Sequence, residues 1–174
     1  GARDIWADEW GWSSYAGPKE EQPIIGAQGQ ADFVTRRLAL MSALDYDKVF
    51  LFALSDLDQR AGARDRRYGL LDEAGDAKPV YNAVQRLLQI TGPRLVPGKA
   101  PVFTGNTPGM ISIGWERPDG RRLWLFWGAQ PGQVQVNGLR QAVLHDVLSG
   151  AHKEIGSGDA VNVPVSTSLS VLEW

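Results

Sequence analysis

Residues 5–14 read IWADEWGWSS, a short apolar run that leads into a glutamate, Glu9, with tryptophans on both sides. The run predicts a buried strand over residues 4–8 that ends at Glu9. In α/β barrels the active site lies at the C-terminal ends of the strands. Sugars have apolar ring faces that stack on aromatic side chains, and hydroxyls that bond to carboxylates. A carboxylate among tryptophans at a strand end therefore indicates a carbohydrate site.

The residues after this strand alternate between helix and strand patterns. Residues 30–44 carry apolar residues at the spacing of one buried helix face. These positions are Val34, Leu38, Met41 and Leu44. Residues 48–54 form a continuous apolar run, typical of a strand buried on both faces of a parallel sheet. A second helix is predicted from Lys78-Pro79 to Gly92-Pro93, because proline suits a first helical turn. The order strand–helix–strand–helix predicts a parallel α/β fold.

The second half has a different composition. Prolines divide the chain after residue 93, and short strand-like runs follow at close intervals. They span residues 110–115, 122–126, 134–136, 143–147, 161–163 and 168–172. Many short strands separated by Gly and Pro turns predict a β-sandwich. We therefore expect two domains, residues 1–93 and 94–174.

The composition excludes several classes of function. The formal net charge is −2, which argues against a nucleic-acid partner, because phosphate binding needs a concentrated basic surface. No apolar stretch approaches the roughly 20 residues that span a bilayer, so no transmembrane segment is expected. The chain has no cysteine, which excludes disulfides and thiol chemistry, and its two histidines are too few for most His-rich metal sites. Because the chain begins with Gly1 and enters an apolar run at once, we expect further residues upstream.

The motif at residues 5–14 resembles the strand-seven motif of clan A glycoside hydrolases, in which the glutamate is the nucleophile. Residues 50–54, FLFAL, resemble strand eight of that clan. Residues 68–72, YGLLD, and 78–81, KPVY, resemble the segment that enters helix eight. The terminal sandwich resembles that of family 39, and bacterial exopolysaccharide (Psl-type) glycosidases are the nearest sub-group.

The resemblance implies that residues 1–93 are the C-terminal part of a (β/α)8 TIM barrel, namely its last two β/α units. Two features depart from the clan pattern. Asp8 stands where Thr or Ser is common before the nucleophile, and Phe50, Phe52 and Ala53 stand where many members carry a tryptophan. The Asn-Glu pair that supplies the acid/base in this clan is absent, which implies an acid/base on a missing N-terminal part of the same enzyme.

The resemblance also implies the reaction. Glu9 would attack the anomeric carbon of an oligo- or polysaccharide and form a glycosyl–enzyme ester, which water then hydrolyses. Retaining enzymes of this kind hold their two carboxyl groups about 5–5.5 Å apart. Neither a metal nor another cofactor is expected. A periplasmic or secreted bacterial location is implied by the family alone.

Further residues near Glu9 are candidates for substrate binding. Trp6 lies inside the predicted strand and is expected in the core. Trp10 and Trp12 follow the predicted strand. For each of them, lining a substrate cleft and packing in the core are equally compatible with the sequence. Asp56 and Asp58 follow the second strand and either bind sugar hydroxyls or shape the loop.

Other polar residues leave alternatives open. The arginines of the polar loop at residues 55–67 are expected to be solvated, although an anionic polysaccharide would also use them. These are Arg60, Arg64, Arg66 and Arg67. Tyr15, Lys19 and Gln28 lie in a long predicted loop of residues 13–29, and the sequence leaves open whether they contact substrate. In the sandwich, His145 and His152 are expected to have surface or packing roles. Trp115, Trp124, Trp127 and Trp174 are expected to fill its core or its seam with the barrel.

Two alternatives to an enzyme follow from the same residues. The first is a non-catalytic carbohydrate-binding protein on a glycosidase scaffold, in which Glu9 contacts sugar without turnover. The second is an interaction module in which the sandwich contacts other proteins. Replacement of Glu9 by Gln distinguishes an enzyme from a carbohydrate-binding protein, because an enzyme should lose hydrolysis and keep its binding of sugar. A glycan-binding screen tests the interaction module, for which no glycan affinity is expected.

Overall fold

The structure, a computed structural model, describes residues 3–18, 22–44, 46–105 and 107–174. The chain divides into two compact units, unit 1 (Gly1–Gln85) and unit 2 (Arg86–Trp174). Unit 1 contains the predicted strand–helix–strand segment and the start of the second helix, and unit 2 contains the end of that helix and the predicted short strands. The domain division at residue 93 stays a prediction.

Unit 1 begins with a strand–helix–strand arrangement. Strand β1 (Trp6–Trp10) pairs in parallel with β2 (Lys48–Leu51), and helix α1 (Gly26–Ser42) connects them. Parallel neighbours need such a crossover, because a tight turn can join only antiparallel strands. The order predicted from the sequence is confirmed, although β1 extends past Glu9 and β2 ends three residues before the predicted limit.

The predicted burial of these strands is wrong. Trp6, expected in the core, is 51% exposed, and Phe50 on the neighbouring strand is 49% exposed. The Trp6 ring contacts Phe50 and lies 4.1 Å from the Lys48 ammonium. The sheet of β1 and β2 has two strands, so both outer edges lack a neighbouring strand among the described residues. The described residues contain no TIM barrel, because two parallel strands are too few to close one.

Helix α1 begins earlier than predicted and ends earlier. Its buried residues are Gln30, Ala31, Val34, Thr35, Ala39 and Met41. Leu44, expected on the buried face, lies beyond the helix and is 52% exposed. Among the described residues, neither α1 nor the later helix has the length and apolar content needed to cross a membrane.

The segment between β2 and the second helix folds back along itself. A one-turn 3-10 helix spans Asp65–Arg67, and Leu71 then forms a parallel bridge with Ser55 and an antiparallel bridge with Ala77. Helix α2 (Pro79–Thr91) follows, and Gly92 after it has a φ of 72°. A positive φ suits glycine, which explains why the helix ends where predicted.

Unit 2 contains antiparallel strands. They are β3 (Val96–Pro97), β4 (Phe103–Thr104), β5 (Ile111–Glu116), β6 (Arg122–Trp127), β7 (Gly132–Val136), β8 (Leu139–Asp146), β9 (His152–Gly158), β10 (Val161–Val165) and β11 (Ser170–Glu173). One sheet has the order β10-β7-β4 and the other has the order β3-β5-β6-β11-β8-β9. Both sheets contribute side chains to one core, as in a β-sandwich.

The sequence predicted most of these strands, because they carry closely spaced apolar residues. The longest strand that was not predicted is β9, whose sequence HKEIGSG has a single large apolar residue. It is an edge strand that pairs with β8 and exposes most of its side chains. An edge strand is held by backbone hydrogen bonds rather than by burial, so hydrophobic patterning does not reveal it.

Trp124 lies at the centre of the sandwich core, as predicted. It is fully buried and stacks on Phe126 with ring centroids 4.0 Å apart, and on Phe103 at 5.1 Å. Its Nε1 donates a hydrogen bond of 2.8 Å to the Ser112 hydroxyl. Trp127 is also buried, so neither ring offers a sugar-binding platform.

Replacement of Trp124 by Ala is expected to destabilise the chain by about 3–5 kcal/mol, because it removes a buried aromatic ring and leaves a cavity. Urea denaturation followed by circular dichroism measures this change. The matched control is Val102→Ala, since Val102 is 72% exposed and its replacement should change the free energy of unfolding by less than about 0.5 kcal/mol. Equal effects of the two substitutions would contradict the described core.

Candidate active site

Glu9 lies on β1 with an exposed side chain and lines an open pocket. The pocket has a volume of about 350 Å³. Its lining residues are Glu9, Trp10, Gly11, Phe52, Leu57, Asp65 and Tyr68. They come from the end of β1, from the residues that follow β2, and from the 3-10 helix. We call this pocket the Glu9 pocket.

The wall of the Glu9 pocket is fixed by backbone contacts. The Phe52 N–H donates a hydrogen bond of 2.8 Å to the carbonyl of Trp10. Gly11 lies so close to the Phe52 carbonyl that a Cβ atom on it would be 2.3 Å from that oxygen. The glycine of the DEWGW sequence therefore permits the end of β1 to approach the chain that follows β2.

Trp10 and Trp12 have different positions. Trp10 lines the Glu9 pocket, and its buried Nε1 has no hydrogen-bond partner among the described residues. Trp12 is outside the lining of this pocket. It meets Trp10 edge to face at 6.0 Å, stacks on Phe33 at 5.5 Å, and has the Arg37 guanidinium 5.6 Å from its ring centroid. Trp12 thus supports Trp10 from the side of α1.

Gln30 joins α1 to the loops around the pocket. Its side chain is buried, and its Nε2 lies within hydrogen-bonding distance of several carbonyl oxygens. They belong to Trp12 at 2.8 Å, Tyr68 at 3.1 Å, Arg67 at 3.3 Å and Gly69 at 3.3 Å. Since backbone carbonyls buried without a donor are costly, this one amide stabilises both loop segments.

Asp56 is buried and belongs to an ion-pair network. Its Oδ1 accepts hydrogen bonds from the Lys78 ammonium at 2.7 Å and from the Gly69 N–H at 2.8 Å. Its Oδ2 lies 3.4 Å from Arg67 Nη1. Burial lowers the pKa of Lys78, and this effect outweighs the opposite one of the Asp56 carboxylate. Sugar contact by Asp56 stays a prediction, and the observed role of its carboxylate is to hold the loop.

Asp58 has a different environment, although it is only two residues away. Its side chain is 59% exposed and forms an ion pair of 2.6 Å with Arg60, which is 92% exposed. Hydrogen bonds from the Arg60 side chain and backbone N–H lower the pKa of the Asp58 carboxyl. Asp58 lines neither the Glu9 pocket nor the second pocket described next. Its contact with substrate also stays a prediction.

A second pocket of unit 1 has a volume of about 460 Å³. It is lined by Ser14, Tyr15, Ala16, Gly17, Asp56, Ala63, Arg66, Arg67, Asp72 and Lys78. We call it the basic pocket, because three of these side chains are cations. Of the candidate residues of the first loop, Tyr15 lies here, Gln28 is exposed on α1, and Lys19 falls outside the described residues.

No group of histidine, aspartate or glutamate side chains within the described ranges has the arrangement of a metal site. His145 Nε2 lies 3.2 Å from a carboxylate oxygen of Glu173. Its ring is 6.4 Å from that of His152. Both histidines belong to the surface of the sandwich and have the structural surroundings expected from the sequence.

Sequence reasoning missed several residues of the two pockets. Asp65 and Tyr68 line the Glu9 pocket, and Lys78 lines the basic pocket. Tyr68 and Lys78 belong to the YGLLD and KPVY segments, so their presence near the site was detectable as a motif. Asp65 lies in the charged run ARDRR. Nothing in this run indicates that Asp65 lines the Glu9 pocket while Arg66 and Arg67 line the basic pocket.

Comparisons of the fold find glycoside hydrolases. The chain is similar to a family 39 glycoside hydrolase from the gut symbiont Bacteroides cellulosilyticus, with a TM-score of 0.73 and 15% identity over 97% of this chain and 33% of that one. It is similar to the catalytic domain of a family 30 xylanase C from Talaromyces cellulolyticus, with a TM-score of 0.53 and 12% identity over 98% of this chain and 40% of that one.

A third similar structure is an endo-β1,6-glucanase, with a TM-score of 0.53 and 13% identity over 99% of this chain and 35% of that one. The chain therefore spans between a third and two fifths of the length of these structures. No family model matches the sequence. No curated protein matches it either. The likeness is one of fold, and it assigns the chain a glycosidase-like scaffold.

Replacement of Asp56 by Asn is expected to destabilise the chain by about 3–5 kcal/mol, because it leaves the buried Lys78 ammonium without its carboxylate. Asn keeps the size of the side chain and an acceptor for Gly69. The control is Asp58→Asn, which removes the exposed pair with Arg60 and should leave the free energy of unfolding nearly unchanged. The comparison is made by urea denaturation at pH 7, and a tolerated Asp56→Asn substitution would contradict the structural role of this carboxylate.

Proposed function

We propose that this chain is part of a retaining glycoside hydrolase in which Glu9 is the nucleophile. The observation that carries the proposal is an exposed carboxylate in an open pocket with aromatic walls, on a scaffold similar to those of glycoside hydrolases. Aromatic rings such as Trp10, Phe52 and Tyr68 offer apolar faces to sugar rings. A carboxylate beside them is placed to meet a sugar carbon or hydroxyl.

The proposed reaction has two steps. In the first, a carboxylate oxygen of Glu9 bonds to the anomeric carbon while the glycosidic C–O bond breaks, and a second carboxylic acid gives its proton to the leaving oxygen. In the second, the same group, now ionised, takes a proton from water as the water oxygen attacks the anomeric carbon and displaces Glu9. Two displacements restore the original configuration of the sugar.

The second carboxylic acid is proposed to lie in a part of the enzyme outside this chain. The chain spans about a third of the family 39 structure that it resembles, and its sequence contains no Asn-Glu pair. Asp65, the other carboxylate that lines the Glu9 pocket, is then available to accept hydrogen bonds from sugar hydroxyls. Trp10 is proposed to stack on the sugar, and Trp12 to hold Trp10 in position.

The substrate is proposed to be an oligo- or polysaccharide outside the cell, in line with a periplasmic or secreted location. A bacterial exopolysaccharide is one candidate that follows from the sequence resemblance. Asp56 is proposed to act through the loop that it holds, and Asp58 to approach longer substrates from the exposed side.

The proposal is tested by covalent trapping of the nucleophile. The natively purified protein that contains this chain, with any polypeptide that accompanies it, is treated with cyclophellitol-type epoxides of several sugar configurations. We expect one label on the peptide that contains Glu9. Glu9→Gln should abolish the label and lower hydrolysis at least about a thousandfold.

The matched control is Glu73→Gln, which alters an exposed glutamate of unit 1 and should leave labelling unchanged. A label on another residue, or equal labelling of Glu9→Gln and the unaltered protein, would contradict the assignment. Glycan binding without labelling or turnover would instead support the carbohydrate-binding alternative.

A further inference from the structure

The basic pocket has an excess of positive charge. Arg66, Arg67 and Lys78 line it together with two carboxylates, Asp56 and Asp72. Both carboxylates already have partners. Asp56 receives Lys78 and Arg67, and one oxygen of Asp72 accepts the backbone N–H groups of the turn that follows it. Lys78 and Arg67 therefore both pair with Asp56, whereas Arg66 has no ion-pair partner among the described residues.

Arg66 forms no ion pair with any described residue of the chain. Its Nε is buried and has no hydrogen-bond partner there. A buried donor that is left unsatisfied costs about 1–3 kcal/mol, and more for a charged group. Two hydrogen bonds fix the backbone of Arg66, because its N–H donates to the Gly62 carbonyl and its carbonyl accepts from the Leu57 N–H.

The remaining lining suits a saccharide. Ser14 and Tyr15 bring hydroxyls, and the Tyr15 ring folds over Gly17 so closely that a Cβ atom on Gly17 would lie 2.3 Å from the tyrosine oxygen. The pocket volume of about 460 Å³ falls in the usual range of small-molecule sites, about 300–1,000 Å³. Hydroxyls, one aromatic ring and a guanidinium that no described carboxylate pairs with match a sugar that carries an acidic group.

We propose that the basic pocket binds the carboxylate of a uronic acid residue of the substrate, with Arg66 as its main partner. The planar guanidinium presents two parallel N–H donors to a carboxylate, an arrangement that is stronger and more specific than a neutral hydrogen bond. This inference rests on the proposed function and gives it a substrate class, the anionic polysaccharides. The basic pocket and the Glu9 pocket have no lining residue in common.

Binding rather than hydrolysis is the readout that tests this inference. Isothermal titration calorimetry is carried out with oligogalacturonate, oligomannuronate and oligoglucuronate trimers, each compared with its neutral methyl ester. We expect at least one free acid to bind at least tenfold more tightly than its ester, and this preference to weaken as salt is raised, because salt screens charge pairs. Equal affinities for all three acids and their esters would overturn the inference.

Variants locate the binding site. Arg66→Gln is expected to abolish the preference for the acid, and Arg66→Lys to restore only part of it, because Lys keeps the charge but not the paired donors. Arg60→Gln removes a 92% exposed arginine of the same loop and should retain the preference. Circular dichroism establishes that each variant is folded. A preference that survives in folded Arg66→Gln, or is lost in Arg60→Gln, would contradict the assignment.

Different experimental results would contradict the uronate site and the glycosidase proposal. Glu9→Gln should bind the uronate as tightly as the unaltered protein, because Glu9 is outside the basic pocket. Covalent trapping at Glu9 without any preference for acids would leave the glycosidase proposal standing and overturn the uronate site. A preference for acids without trapping would overturn the glycosidase proposal, and the pocket would then belong to a binding protein.

Discussion

The buried carboxylate of Asp56 holds together the part of unit 1 that carries both pockets. It receives the Gly69 N–H, the Lys78 ammonium and the Arg67 guanidinium, which come from three places in the segment between β2 and α2. Gly69 is required at the contact, because a Cβ atom there would lie 2.1 Å from the Asp56 nitrogen. Breaking a buried ion pair leaves an uncompensated charge, so the folded segment depends above all on the pair of Asp56 with Lys78.

This network and the Gln30 amide set the positions of the residues on each pocket wall. Gln30 ties α1 to the carbonyls of residues 67–69, while Asp56 ties the same residues to the chain after β2. The 3-10 helix next to them then directs Asp65 to the Glu9 pocket and Arg66 and Arg67 to the basic pocket. Adjacent residues in the sequence thus supply opposite charges to two pockets with different chemistry.

The sequence predicted the parts of the fold that depend on local patterns. The order of β1, α1 and β2 follows from hydrophobic periodicity, and α2 begins at Pro79 and ends before Gly92 for stereochemical reasons. It did not predict the exposure of Trp6. An apolar strand pattern indicates which residues are suited to burial, but burial also requires neighbouring elements to cover them, and the pattern does not show whether the chain supplies those elements. It missed β9, because an edge strand needs few apolar residues.

The sequence placed Glu9 at the end of a strand, and the structure locates it in a pocket there, although its chemical role stays a proposal. The sequence could not separate the roles of Asp56 and Asp58. The two lie in one loop, but the partner of Asp56 is Lys78, 22 residues away, whereas that of Asp58 is Arg60, two residues away. Long-range contacts of this kind depend on the tertiary fold. The same holds for the different surroundings of Arg66, which lines the basic pocket, and Arg60, which is exposed.

The central claim, that Glu9 is the nucleophile of a retaining glycosidase, is tested most directly by chemical rescue of Glu9→Ala. Azide is added to the natively purified variant with an activated aryl glycoside, and the product is examined by NMR spectroscopy. The account predicts that hydrolysis is lost and that azide restores cleavage, giving a glycosyl azide whose anomeric configuration is opposite to that of the substrate. Undiminished hydrolysis by Glu9→Ala without azide, or a glycosyl azide with retained configuration, would contradict it.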